Sequence, residues 1–136
     1  MPLGRKVVEE DICEADVVIY VISRISGEGK DRRKVKGDYY LSEREEEDLR
    51  YLAEMNKPVI LILNAGGPVE LTDILEQTDN IKGILNISQL GQEGGDALAD
   101  VLLGKEVPSG KLTTTWARRY EDYPASEEYG YLNGNL

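Results

Sequence analysis

The sequence contains no histidine, a single cysteine and no long apolar run. Without histidine, a Ser-His-Asp triad, a Cys-His pair and a His-ligated zinc site are excluded within this chain. Cys13 stands alone, so neither an internal disulfide nor a cysteine cluster can form; it reads as a small buried hydrophobe near the first strand. No segment is long and apolar enough for a signal peptide or a membrane span, so the chain as given reads as cytoplasmic. Positive charge is also short: 16 Lys and Arg stand against 26 Asp and Glu, a formal charge of −10. That balance repels phosphate backbones and argues against a nucleic-acid partner. Chemistry must then rest on carboxylates, hydroxyls, Lys, Arg or backbone amides, and nothing calls for a cofactor or a metal.

What is present suits one domain: 136 residues, 40% of them hydrophobic. Three apolar runs, Val17–Ile22, Pro58–Leu63 and Ile81–Ile87, are rich in Val, Ile and Leu and nearly continuous. This pattern predicts strands buried on both faces of a parallel sheet. Helical segments alternate with them, which predicts an α/β architecture with right-handed crossovers. The clearest helix starts at Ser42, where Ser42 and Glu45 form an S-x-x-E capping box. Leu49, Leu52 and Ala53 make its apolar stripe, and Glu45, Glu46, Glu47 and Arg50 are expected to face water. Asn56 and Pro58 supply its stop. Further helices are predicted over about 72–77 and 92–103, the latter capped by Gly104, and Pro108-Ser109-Gly110 reads as a type I turn. The domain is expected to span residues 1–116. Residues 117–136, acidic and rich in tyrosine, read as an irregular tail ordered only against a partner.

Each strand runs into a glycine-rich loop: Ser26-Gly27-Glu28-Gly29-Lys30-Asp31-Arg32, Asn64-Ala65-Gly66-Gly67-Pro68, and Gln89-Leu90-Gly91-Gln92-Glu93-Gly94-Gly95. In a parallel sheet all three emerge at the carboxyl edge, where open α/β sheets bind ligands. In the first loop, where Glu28, Lys30, Asp31 and Arg32 crowd together, a carboxylate could act as a general acid or, as Asp31 beside Arg32, bind sugar hydroxyls. The competing reading of Asp31 and Arg32 is an ion pair that orders the loop. No Walker or dinucleotide spacing is present. Three strands also leave long open edges, which natural sheets avoid, so the sequence reads as part of something larger and self-association through those edges is expected.

Several stretches carry a family resemblance. Glu28-Gly29-Lys30-Asp31-Arg32, Leu41-Ser42, the run from Pro58 to Val69, the run from Gly91 to Gly104, and Pro108-Ser109-Gly110-Lys111-Leu112 occur in order and at compatible spacing. Over about residues 13–123 the chain resembles the second, α/β sandwich domain of glycoside hydrolase family 3. The resemblance implies a three-layer sandwich with a mostly parallel sheet, present here as an incomplete copy. It implies retaining hydrolysis of terminal β-linked sugars by two carboxylates, with the aspartate nucleophile on a (β/α)8-type barrel in the same enzyme or a partner chain. No barrel fits in 136 residues, so the chain alone is expected to be inactive. In plant exoglucanase-like members the acid/base glutamate occupies the loop matching Glu28. In many bacterial members it follows the P-S-G-K-L stretch, before a V-G-Y-R-Y pattern that this sequence does not contain, although its E-G-x-D-R and G-D-Y-Y wording is closer to that group. Val107 and Thr113 depart from the family's usual Asn and Pro. The alternative reading is a non-catalytic carbohydrate-binding or protein-interaction module.

Overall fold

The β-branched runs become strands. In the computed structural model, which describes residues 9–25, 32–124 and 126, the element order is α1 (Glu9–Cys13), β1 (Val18–Ser23), α2 (Glu43–Glu54), β2 (Val59–Asn64), α3 (Thr72–Gln77), β3 (Ile81–Asn86) and α4 (Gly94–Leu102), then a 3-10 turn at Tyr120–Asp122. The three strands form one parallel sheet in the order β1-β2-β3, with Val18 opposite Val59 and Ile60 opposite Gly83. An irregularity lies between Val59 and Ile60, where β3 carries one residue more than β2. The α/β sandwich expected from the sequence is the observed class.

Two consecutive right-handed crossovers in one direction put both connecting helices on one face of the sheet. Leu49 and Leu52 of α2 and Ile74 of α3 accordingly pack with Ile22, Val59, Leu61 and Leu63 in a single cluster, joined by Leu41, Val69 and Leu71. Burial of such side chains contributes roughly 1.5–3 kcal/mol each. The other face is unequally covered. Ile62 on the central strand is fully buried, yet Val17 just before β1 and Ile19 and Val21 within it are 43, 48 and 52% exposed. Burial on both faces therefore holds for β2, while β1 and β3 alternate. Hydrophobic runs alone do not distinguish a central strand from an edge.

The capping box is formed as expected: the Glu45 N–H donates to Ser42 Oγ at 3.2 Å and the Ser42 N–H to Glu45 Oε2 at 2.8 Å. Asn56 (φ 52°) and Gly104 (φ 72°) take the left-handed conformation that ends α2 and α4. Three local expectations fail. Cys13 is exposed, because its neighbour Ile12 occupies the core position and the next residue on a helix turns about 100° away. Glu45 is half-buried rather than in water, since Arg24 lies against it. Residues 107–112 carry no hydrogen-bonded turn.

The segment 117–124 is also more ordered than its composition suggests. Arg119 pairs with Asp73 of α3 at 3.1 Å, the Tyr120 N–H donates to Glu70 Oε2 at 2.8 Å, and the Ala117 N–H donates to Tyr123 Oη at 3.1 Å. Tyr120 stacks edge-on against the buried Tyr39 with centroids 5.3 Å apart, and Lys34 covers its ring at 4.2 Å while pairing with Glu121. These contacts tie the segment to the domain itself.

Candidate functional site

The carboxyl ends of β1, β2 and β3 end in Ser23, Asn64 and Asn86, so the apolar runs give way to polar groups at one rim. Asn64 reaches Ser23 through Nδ2 to Oγ at 3.5 Å, and the Ser88 N–H donates to Asn86 Oδ1 at 3.3 Å. The Arg24 N–H donates to the Asn64 carbonyl and the Ile87 N–H to the Leu63 carbonyl, both at 3.0 Å, which extends the ladder one residue past the strands. The loop after β2 is anchored by Ala65 and Val69, each almost wholly buried, on either side of Gly66-Gly67-Pro68.

Of the three candidate site residues, Glu28 and Asp31 lie outside the described residues. Arg32 is placed at the rim, in a tight set of contacts. Its Nε donates to Asp38 Oδ1 at 3.0 Å, its Nη1 to the Pro68 carbonyl at 2.5 Å, and its Nη2 to the Asp38 carbonyl. The Arg33 N–H reaches Asp38 Oδ2 at 2.8 Å. Burial of Asp38 opposes ionisation, but the Arg33 N–H and the Arg32 guanidinium outweigh it and hold the carboxyl below its ordinary range.

Sequence reasoning missed Arg24, the residue directly after β1. Its side chain is 5% exposed. Nη1 donates to Glu45 Oε1 at 2.7 Å and the Ser23 carbonyl at 2.9 Å; Nη2 donates to Glu45 Oε2 at 2.8 Å and the Tyr40 carbonyl at 3.2 Å. Nε donates to the Asp38 carbonyl at 2.7 Å. All five guanidinium N–H groups are used. Burial pushes the Glu45 carboxyl up, and Arg24 with the Ser42 N–H pulls it further down, so it stays ionised. The available signal was an arginine continuing an apolar run followed, on the next helix, by a capping glutamate.

A general acid needs a carboxyl kept protonated near neutral pH. The described carboxylates with a shift, Asp38, Glu45 and Glu121, all move the other way. They hold structure. Among the described residues there is no cluster able to hold a metal ion. A cleft of about 80 Å³ between α2 and α3, lined by Tyr40, Glu46, Arg50, Glu70 and Asp73 among others, takes no residue from the glycine-rich loops.

The chain's sequence matches the model of the glycosyl hydrolase family 3 C-terminal domain over residues 4–135. It belongs to that family. The family 3 C-terminal domain described here is 37% identical to β-glucosidase A of Butyrivibrio fibrisolvens across 93% of its length. Among solved structures it is similar to β-glucosidase 3B of Thermotoga neapolitana in complex with glucose, with a TM-score of 0.77, 45% identity and 93% of this chain covered. It is also similar to a β-glucosidase of Paenibacillus barengoltzii, with a TM-score of 0.78 and 31% identity. This chain spans 18% of the Butyrivibrio and Thermotoga proteins and 13% of the Paenibacillus one.

Proposed function

We propose that this domain supplies one wall of the active site of a retaining β-glycosidase of the β-glucosidase type, facing a (β/α)8-type barrel that carries the nucleophile. The observation that carries this reading is the agreement in sequence and fold, over nearly the whole chain, with a β-glucosidase whose structure is in complex with glucose. The rim supports it: three glycine-rich loops leave a parallel sheet at one edge, the geometry at which α/β sheets bind small ligands. In this reading sugar hydroxyls meet Asp31 and Arg32, and Glu28 is the acid/base candidate of the wall, facing a nucleophile about 5–5.5 Å away in the assembled site. The open edges of β1 and β3 are proposed to pair with further polypeptide, a second copy included.

The test is hydrolysis of nitrophenyl β-glucoside by the purified chain, alone and with a barrel domain from a family relative, each with Glu28→Gln beside it. We expect no turnover alone and turnover on complementation. Turnover by the isolated chain that Glu28→Gln abolishes would put both carboxylates within these residues and refute the half-site. Sugar binding without turnover in the complemented mixture would favour a non-catalytic carbohydrate-binding module.

A further inference from the structure

The two open edges of the sheet differ in chemistry. β3 reads Ile81-Lys82-Gly83-Ile84-Leu85-Asn86, with a lysine and a glycine inside the strand and a register irregularity against β2. Lysine and irregular pairing blunt an edge against further strands, and glycine weakens it. β1 reads Val18-Ile19-Tyr20-Val21-Ile22-Ser23 and has none of these. Its side chains carry no charge, and Ile19 and Val21 are about half exposed. The backbone adds donors and acceptors. The Val18 N–H donates to the Pro58 carbonyl at 2.8 Å and the Arg24 N–H to the Asn64 carbonyl at 3.0 Å, so the even-numbered residues face β2. By alternation the N–H and C=O of Val17, Ile19, Val21 and Ser23 point outward. Among the described residues no strand lies on that side.

These outward groups match one another under a two-fold axis. Antiparallel pairing about Tyr20 sets Ile19 opposite Val21 and Val17 opposite Ser23, each twice. Every outward residue then meets another outward residue, and no like charges are opposed. An isologous contact needs this property, because one patch must fit itself. We propose that β1 is a self-pairing edge: the chain joins a second copy there, antiparallel about Tyr20, so that two three-stranded sheets become one. The inference rests on the reading that the open edges take further polypeptide, and narrows it to one edge and one occupant.

The test is sedimentation of the full chain over rising concentration, at low and high salt. A dimer is expected that tightens with salt, because each copy carries a formal charge of −10 and the contact itself is uncharged. Ile19→Lys is expected to raise the dimer Kd about tenfold, whereas Ile84→Lys on β3 leaves it within about twofold. The register is read in a Cys13→Ser background, where Ile19→Cys and Val21→Cys chains are mildly oxidised separately and mixed. Opposed residues have Cα atoms about 5.5 Å apart, within disulfide reach, whereas each residue and its own copy are roughly 8 Å apart. Cross-linked dimer is expected from the mixture only, and this arm stands even if Ile19→Lys fails to fold. A monomer at every concentration, weakening by salt, or loss of the dimer through Ile84→Lys rather than Ile19→Lys overturns the inference. So does cross-linking by one variant alone, or none in the mixture. Turnover with the barrel domain decides the proposed function separately. A monomer that complements keeps that function and ends this inference; a dimer that does not complement does the reverse.

Discussion

Replacing Glu45 by Gln probes the least exposed charge pair among the described residues. The Arg24 side chain is 5% exposed and that of Glu45 is 15% exposed, so water screens the pair little. The glutamate accepts two N–H groups from Arg24 at 2.7 and 2.8 Å and the Ser42 N–H at 2.8 Å. Glutamine keeps the volume but has one acceptor oxygen, and its amide N–H₂ must face either Arg24 Nη1 or both Arg24 Nη2 and the Ser42 N–H, donor against donor. Arg24 is left as a buried charge without its counter-ion. Breaking such a pair costs roughly 3–5 kcal/mol; the 15% exposure of Glu45 argues for the lower end, about 3 kcal/mol. The assay is urea unfolding of the full chain followed by far-UV circular dichroism, with Arg24→Met and the double variant completing a cycle. The coupling energy is expected to be at least about 1 kcal/mol. pH provides a second readout. The folded Glu45 carboxyl lies below the ordinary value of 4.5, so its stabilisation is fully present above about that pH and is lost as pH falls through the folded value. Glu45→Gln is therefore expected to flatten the acid limb of the stability curve. A loss under about 1 kcal/mol with an unchanged acid limb would refute the reasoning, since surface pairs contribute no more than that.

Two neighbouring glycines at the start of α4 should respond in opposite directions. A Cβ on Gly94 would sit 2.3 Å from Leu90 Cβ, whereas one on Gly95 meets nothing within 4 Å. In thermal unfolding, Gly94→Ala is expected to destabilise by about 1–3 kcal/mol and Gly95→Ala to be neutral or stabilising by up to about 1 kcal/mol; equal effects would contradict the packing described. On the open face, Val21→Lys should weaken self-association seen by sedimentation at rising concentration, because Val21 is 52% exposed on an edge strand. An unchanged association constant would move any self-contact elsewhere.

Much of the architecture could be read from the chain because local signals agreed with one another. The apolar runs predicted strands over 17–22 and 58–63 where β1 and β2 are Val18–Ser23 and Val59–Asn64, and the Ser42–Glu45 box predicted the start of α2. Capping and strand propensity depend on residues a few positions apart, so a linear reading suffices. What depends on distant partners was hidden. Glu45 reads as a surface glutamate until Arg24, on another element, is placed against it. Val17, Ile19 and Val21 read as core until the crossovers put both helices on the opposite face. The segment 117–124 lacks aliphatics, yet it is held by Tyr39, Glu70 and Asp73, which lie far back in the sequence. The same limit applied at the rim: Arg32 was legible as a charged loop residue, but its link to Pro68 follows only from the fold.

Spatial order equal to chain order has a consequence for synthesis. Because the sheet runs β1-β2-β3, every strand adds to an edge made by the one before it. As the chain leaves a ribosome, β1, α2 and β2 hold Ile22, Leu49, Leu52, Leu61 and Leu63, most of the buried cluster, before β3 is made. Among the described strands, none waits for a later one to be inserted between it and its predecessor, which shortens the time their shared edges stay open during translation. Assembly of these three strands can thus proceed in chain order at the pace of elongation, with β3 closing over a nucleus already in place.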